Sequence, residues 1–148
     1  KIIDYCYIFF KDIIPSNDFK DINIEEYNEE RLALKTFSSF IDIKTNSEIK
    51  IIISIDFNLT KYLLNFFMQN VIINQYEEHK YLEDTVSETL NTILGNTTQS
   101  FFENGYNIDF SAPVIMTSDE ALFKFPPTKK WKYTLNTNKG EIILYSIK

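Results

Sequence analysis

A chain of 148 residues with 44% hydrophobic and 16% aromatic content is long enough to bury a sizeable core, and its length suits one domain over 1–148. Its formal charge of −6 argues against general binding to nucleic acid or to an anionic membrane, both of which need clustered lysine and arginine to neutralise phosphates. Cys6 is the single cysteine, so neither an intrachain disulfide nor a cysteine-based zinc site can form, and a reducing cytoplasm is the natural setting.

In chain order, Ile2 to Ile14 reads as a buried amphipathic helix rather than a secretory signal, because Asp4 and Asp12 interrupt it and no small-residue cleavage pattern follows. Pro15-Ser16-Asn17-Asp18 ends that helix, and Phe19 to Glu30 is polar and without a clear assignment. Phe37 to Ile43 and Ile49 to Ile55 read as two strands joined by a tight turn at Asn46-Ser47, the second strand mostly buried. Asn58-Leu59-Thr60 offers a helix start, and Tyr62, Leu63, Phe66 and Phe67 continue it with apolar spacing to about Asn70. A long helix then runs from near Tyr76 to Asn104-Gly105, a pair suited to a left-handed helix end. Ile108 to Thr117 is extended, with Pro113 marking an edge or an irregularity. The last two strands, Trp131 to Leu135 and Glu141 to Ile147, turn at Asn138-Lys139-Gly140. The expected fold class is therefore α+β, with long helices packed on a mainly antiparallel β-sheet. No apolar run approaches the roughly 20 residues that a membrane-spanning helix needs. The chain starts at Lys1 without an initiator methionine, as a trimmed chain or an excised domain would.

One polar stripe stands out on the long helix: Asp84, Glu88, Asn91 and Gly95, in the pattern D-x-x-x-E-x-x-N-x-x-x-G. At about 100° per residue these positions fall within an arc of roughly 60°. Leu82, Val86, Leu90, Ile93 and Phe101 take the opposite side, so the core should anchor the helix and leave the stripe outward. Asparagine and glycine are poor residues for a helix interior, glycine costing about 1 kcal/mol relative to alanine. Their presence points to a requirement other than helix stability.

This stripe and its surroundings resemble the CheC/CheX/FliY family of chemotaxis phosphatases, most closely the single-site CheX branch. The resemblance rests on the motif from Asp84 to Gly95, the hairpin TFSSFIDIKTNSEIKIIISID, the helix NLTKYLLNFFM, the segment NIDFSAPVIM with Pro113, and the final pair of strands. It covers roughly Phe37 to Lys148; the first 36 residues match only as a helix preceding the sheet. The hairpin lacks the glycines common in that family. Two-site members carry the motif twice, and the second candidate here, Asp21, Glu25 and Asn28, has Leu32 where glycine is expected and reads as coincidence.

The resemblance implies hydrolysis of the aspartyl phosphate on a response-regulator receiver domain of the CheY kind. Such hydrolysis needs a water held in line with phosphorus and shielding of the phosphoryl charge. The receiver would bring its own lysine, acidic residues and Mg2+, so this chain is expected to bind no cofactor and no metal. Asn91 can both donate and accept hydrogen bonds and takes the water-positioning role. Glu88, one turn earlier on the same face, would pair with the receiver's lysine and set the docking register. Gly95 would permit close approach of the partner's backbone, and Asp84 would support the helix edge or the rim of the contact. The family also implies a homodimer with continuous sheets.

An isolated match of this kind reads as a solvated helix face; Gly95 and the matching elements on both sides favour the functional reading. The rival from another class is a non-catalytic adaptor, or a flagellar-switch or two-component interaction domain, that binds a receiver through the same face without changing its phosphate lifetime. A remoter rival is a domain of a longer regulator whose sheet serves mainly for dimerisation. His79, the single histidine, has no Ser/His/Asp or HExxH context and receives no role. Lys129, Lys130, Trp131 and Lys132 read as an alternating hairpin strand rather than a nucleic-acid patch.

Overall fold

The computed structural model describes residues 8–12, 19–29, 31–44, 48–69, 71–105, 108–116 and 129–148. Its strands are β1 (Phe19–Glu26), β2 (Phe37–Lys44), β3 (Glu48–Ile55), β4 (Asp109–Phe110), β5 (Val114–Met116), β6 (Lys130–Thr137) and β7 (Gly140–Ile147). Two helices, α1 (Phe57–Phe67) and α2 (Glu78–Glu103), fall between β3 and β4. Residues 8–12 are helical, and the rest of the expected Ile2 to Ile14 helix lies outside the described residues, as does the Asn46-Ser47 turn.

The strands form one sheet in the order β1-β6-β7-β3-β2-β4, with β5 also pairing β2, and every pairing is antiparallel. β3 and β7 are central, which accounts for their nearly continuous runs IIISI and IILYSI. A strand covered on both faces gains from apolar side chains at odd and even positions alike. On one face Ile51, Ile53, Ile55, Ile142 and Leu144 meet Leu59, Leu63, Leu64, Leu82, Val86, Leu90 and Ile93 from the two helices. On the other, Ile52, Ile143, Tyr145 and Ile147 pack with Leu32 and Met116. The Tyr145 hydroxyl donates to the Ala33 carbonyl at 2.7 Å, tying down the segment that covers this second face.

Three details depart from expectation. The unassigned stretch after Asp18 contains β1, which pairs β6 in a register running from Phe19↔Thr137 to Glu26↔Trp131. α1 is capped two residues earlier than expected, by Asp56 rather than Asn58: its carboxylate accepts from Leu59 N at 2.9 Å and from Glu141 N at 2.7 Å. The same carboxylate lies against Gly140, where φ is +146° and a Cβ would collide with it, so glycine is required at that turn. Finally, Phe101 is 36% exposed instead of continuing the buried stripe. A helix of 26 residues spans about 39 Å, whereas an eight-residue strand spans about 27 Å. α2 therefore outruns the sheet beneath it.

The segment from Ile108 is extended as expected but broken into β4 and β5 around Pro113, with Ser111 bridging the gap by accepting from Asp42 N and donating its own N–H to Asp42 O. Among the described residues, no helix is long and apolar enough to cross a membrane.

Candidate functional site

The site is built on α2, whose inward face is set by five aliphatic side chains. Leu82, Val86, Leu90, Ile93 and Leu94 are at most 2% exposed, and removing each from water contributes about 2 kcal/mol. That burial decides which face of the helix turns inward. It turns Asp84, Glu88 and Gly95 into solvent and leaves Asn91 half-buried. The four expected residues are therefore brought onto one accessible face, over roughly 16 Å of helix.

Among the described residues, the side chains of Asp84, Glu88 and Asn91 have no hydrogen-bond or ion-pair partner. A carboxylate and an amide one turn apart are thus free to meet groups on another molecule. A Cβ placed at Gly95 would meet nothing within 4 Å, so its lack of a side chain answers no packing demand inside the chain. The helix backbone there is open to close approach. Thr92, next to Asn91 in sequence, turns its hydroxyl back to the Glu88 carbonyl at 2.9 Å and so bonds to no side chain of the stripe.

The flank of α2 that faces the sheet edge holds a cavity of about 240 Å³ lined by Thr36, Phe37, Ser38, His79, Glu83, Ile115 and Met116. His79 sits there as a surface residue, its ring 5.4 Å from that of Phe37 and its Nε2 3.3 Å from Glu83 Oε1. One contact along this flank was not anticipated from the sequence. Ser87 donates to Ser39 Oγ at 3.1 Å, and Ser39 in turn donates to the Val114 carbonyl at 3.1 Å. A signal existed: Ser39 interrupts the helix-facing series Phe37, Ile41 and Ile43 on β2.

The remaining sequence features fall away from the site. Asp21 and Glu25 lie on β1, and Leu32 is buried in the second core, so the apparent second motif does not share a helix face. The basic cluster at the start of β6 is occupied locally. Lys130 is buried and donates to the Glu29 carbonyl at 2.8 Å, Lys132 Nζ lies 3.8 Å from Glu25, and Lys129 Nζ sits 5.5 Å from the Trp131 ring centroid. Among the described residues, no three His, Cys, Asp or Glu side chains gather into a metal site.

The fold is that of solved CheX and CheC-like proteins. A CheX from Desulfovibrio desulfuricans superposes with a TM-score of 0.72 at 14% identity, covering 99% of both chains. A CheC-like protein from Shewanella oneidensis gives a TM-score of 0.74 at 14% identity, over 99% of this chain and 94% of the other. The CheX–CheY–BeF3–Mg2+ complex from Borrelia burgdorferi gives 0.72 at 17% identity, over 99% and 93%. No curated protein matches the sequence. The family model for the chemotaxis phosphatase CheX matches residues 37–132, from the start of β2 into β6, and the chain belongs to that family.

Proposed function

We propose that this protein hydrolyses the aspartyl phosphate of a CheY-like receiver domain, using the outward face of α2. The observation that carries the reading is the free carboxylate and amide of Glu88 and Asn91, one turn apart on a helix whose neighbouring Gly95 leaves the backbone open. Membership of the CheX family supports it, as does the structural likeness to a CheX solved together with CheY.

An aspartyl phosphate is a mixed anhydride and already activated, so orientation matters more than strong proton abstraction. The Asn91 side chain holds a water in line with phosphorus, its carbonyl oxygen accepting from the water and its amide donating toward the phosphoryl group. The water oxygen forms the new P–O bond as the bond to the aspartyl oxygen breaks. Inorganic phosphate leaves and the receiver's carboxylate is restored. Glu88 pairs with the receiver's active-site lysine and fixes the register, while Gly95 and Asp84 form the near and far limits of the contact. Mg2+ belongs to the receiver, where it shields the phosphoryl oxygens. The protein works in the cytoplasm as a homodimer, a form in keeping with the unpaired outer edge of β1 among the described strands.

The test is phosphate release from a receiver charged with acetyl phosphate, with wild-type protein, Glu88→Ala and Asn91→Ala compared. Acceleration by wild type at concentrations well below KM that both variants lose supports the phosphatase. Binding without any acceleration replaces it with the adaptor.

A further inference from the structure

Two kinds of hydroxyl hydrogen bond stand out on α2. Thr85, Thr89, Thr92, Thr97 and Thr98 each donate to the carbonyl four residues back, at 2.7 to 2.9 Å, and so bond within their own helix. Ser87 does not. Its hydroxyl leaves the helix for Ser39 Oγ on β2, and Ser39, itself 0% exposed, passes the chain on to the Val114 carbonyl of β5. One directional link thus joins the helix to the strand beneath it and to the short strand at the sheet margin.

Position along the helix gives this link its consequence. Ser87 and Asn91 are four residues apart, so Asn91 stands one turn above Ser87 on the same side of α2. Apart from the ring of His79 against Phe37 at one end, the rest of the described helix–sheet packing is apolar, the buried threonines of α2 bonding within their own helix; burial of apolar groups is not directional, so it sets which face turns inward but only loosely sets the roll angle. A hydrogen bond weakens steeply when its angle is lost. Side-chain tips lie about 5–6 Å from a helix axis, so a roll of about 10° moves the Asn91 amide by about 1 Å. That is the scale on which a misplaced group in an oriented reaction loses most of its effect.

We propose that Ser87 and Ser39 are positioning residues for the reaction, holding α2 at the roll angle that aims Asn91 at the attacking water. The inference rests on the phosphatase reading above. Neither serine touches the receiver's phosphate. They act through the helix.

The experiment measures kcat and KM for receiver dephosphorylation by wild type, Ser87→Ala, Ser39→Ala, the double variant and Asn91→Ala, with thermal unfolding of each. Alanine is the best helix former, so Ser87→Ala folds and decides the matter even where Ser39→Ala does not. The expected result is a fall of about tenfold in kcat for Ser87→Ala with KM and Tm held, and a double variant no slower than either single one, because both break the same link. A merely structural role would lower Tm and leave kcat of the folded protein alone. Full kcat in Ser87→Ala beside an inactive Asn91→Ala overturns this inference and keeps the phosphatase. Wild type that fails to shorten the phosphate lifetime, or Asn91→Ala as fast as wild type, overturns the phosphatase reading and this inference with it.

Discussion

Substituting Gly95 should raise stability and lower function, two effects of opposite sign from one change. Gly95 lies in the interior of α2, its backbone is not in the left-handed region, and an added Cβ meets nothing within 4 Å. Nothing is therefore lost inside the chain by adding a methyl, and helix propensity alone predicts that Gly95→Ala gains about 1 kcal/mol. For a chain of 148 residues that corresponds to a rise of about 2–4 °C in Tm. Gly95→Leu should keep most of the gain, since the space is open. Docking responds in the other direction. If a receiver's backbone closes on this stretch of helix, a larger side chain must be accommodated within a packed interface. Overpacking of that kind costs about 1–3 kcal/mol, or about 5- to 150-fold in affinity. Thermal unfolding of the free protein and titration of a receiver with each variant read the two effects separately. Destabilisation by Gly95→Ala would show that the helix does not run through residue 95 as described. A more stable Gly95→Leu that binds the receiver as tightly as wild type would show that this face is not the contact.

Other perturbations give distinct outcomes. Asp56→Ala strands two backbone N–H groups, those of Leu59 and Glu141, and should cost about 2–3 kcal/mol in urea unfolding. A loss under about 0.5 kcal/mol would mean that Asp56 does not join α1 to the β6–β7 turn. Burial pushes the Tyr145 hydroxyl well above its ordinary pKa, with the adjacent Tyr27 phenol adding to the shift. The stability this represents is complete below about pH 10, where the unfolded tyrosine is also protonated. It is lost above that by about 1.4 kcal/mol per pH unit, because only the unfolded chain releases the proton. Tyr145→Phe should flatten that alkaline slope, and an unchanged slope would refute the assignment. In turnover, Glu88→Ala should raise KM by weakening docking, whereas Asn91→Ala should lower kcat by about 100-fold at unchanged KM. The reverse pattern would exchange their roles.

What the sequence makes legible depends on how local the cause is. The hairpin of β2 and β3 and the long helix declare themselves by their own periodicity, because each buries one or both faces against the core. The stripe from Asp84 to Gly95 is readable for the same reason, as the complement of a buried face. β1 gives no such sign. Ile22 and Ile24 are 42% and 52% exposed, charged residues flank them, and what holds the strand is pairing with β6, more than 100 residues away in sequence. Asp56 as the cap of α1 is obscured because its second partner, Glu141, comes from the far end of the chain. The link from Ser87 through Ser39 to Val114 is likewise long-range. A serine among aliphatic neighbours hints that something polar lies opposite, but only the packed structure shows what.

The most direct measurement follows the lifetime of the aspartyl phosphate on a receiver saturated with this protein, so that differences in binding drop out. Wild type should shorten that lifetime, and Asn91→Ala, equally bound, should leave it at the value of the receiver alone. An equal shortening by Asn91→Ala would contradict the account at its centre, since the chemistry would then proceed without the group assigned to orient the water.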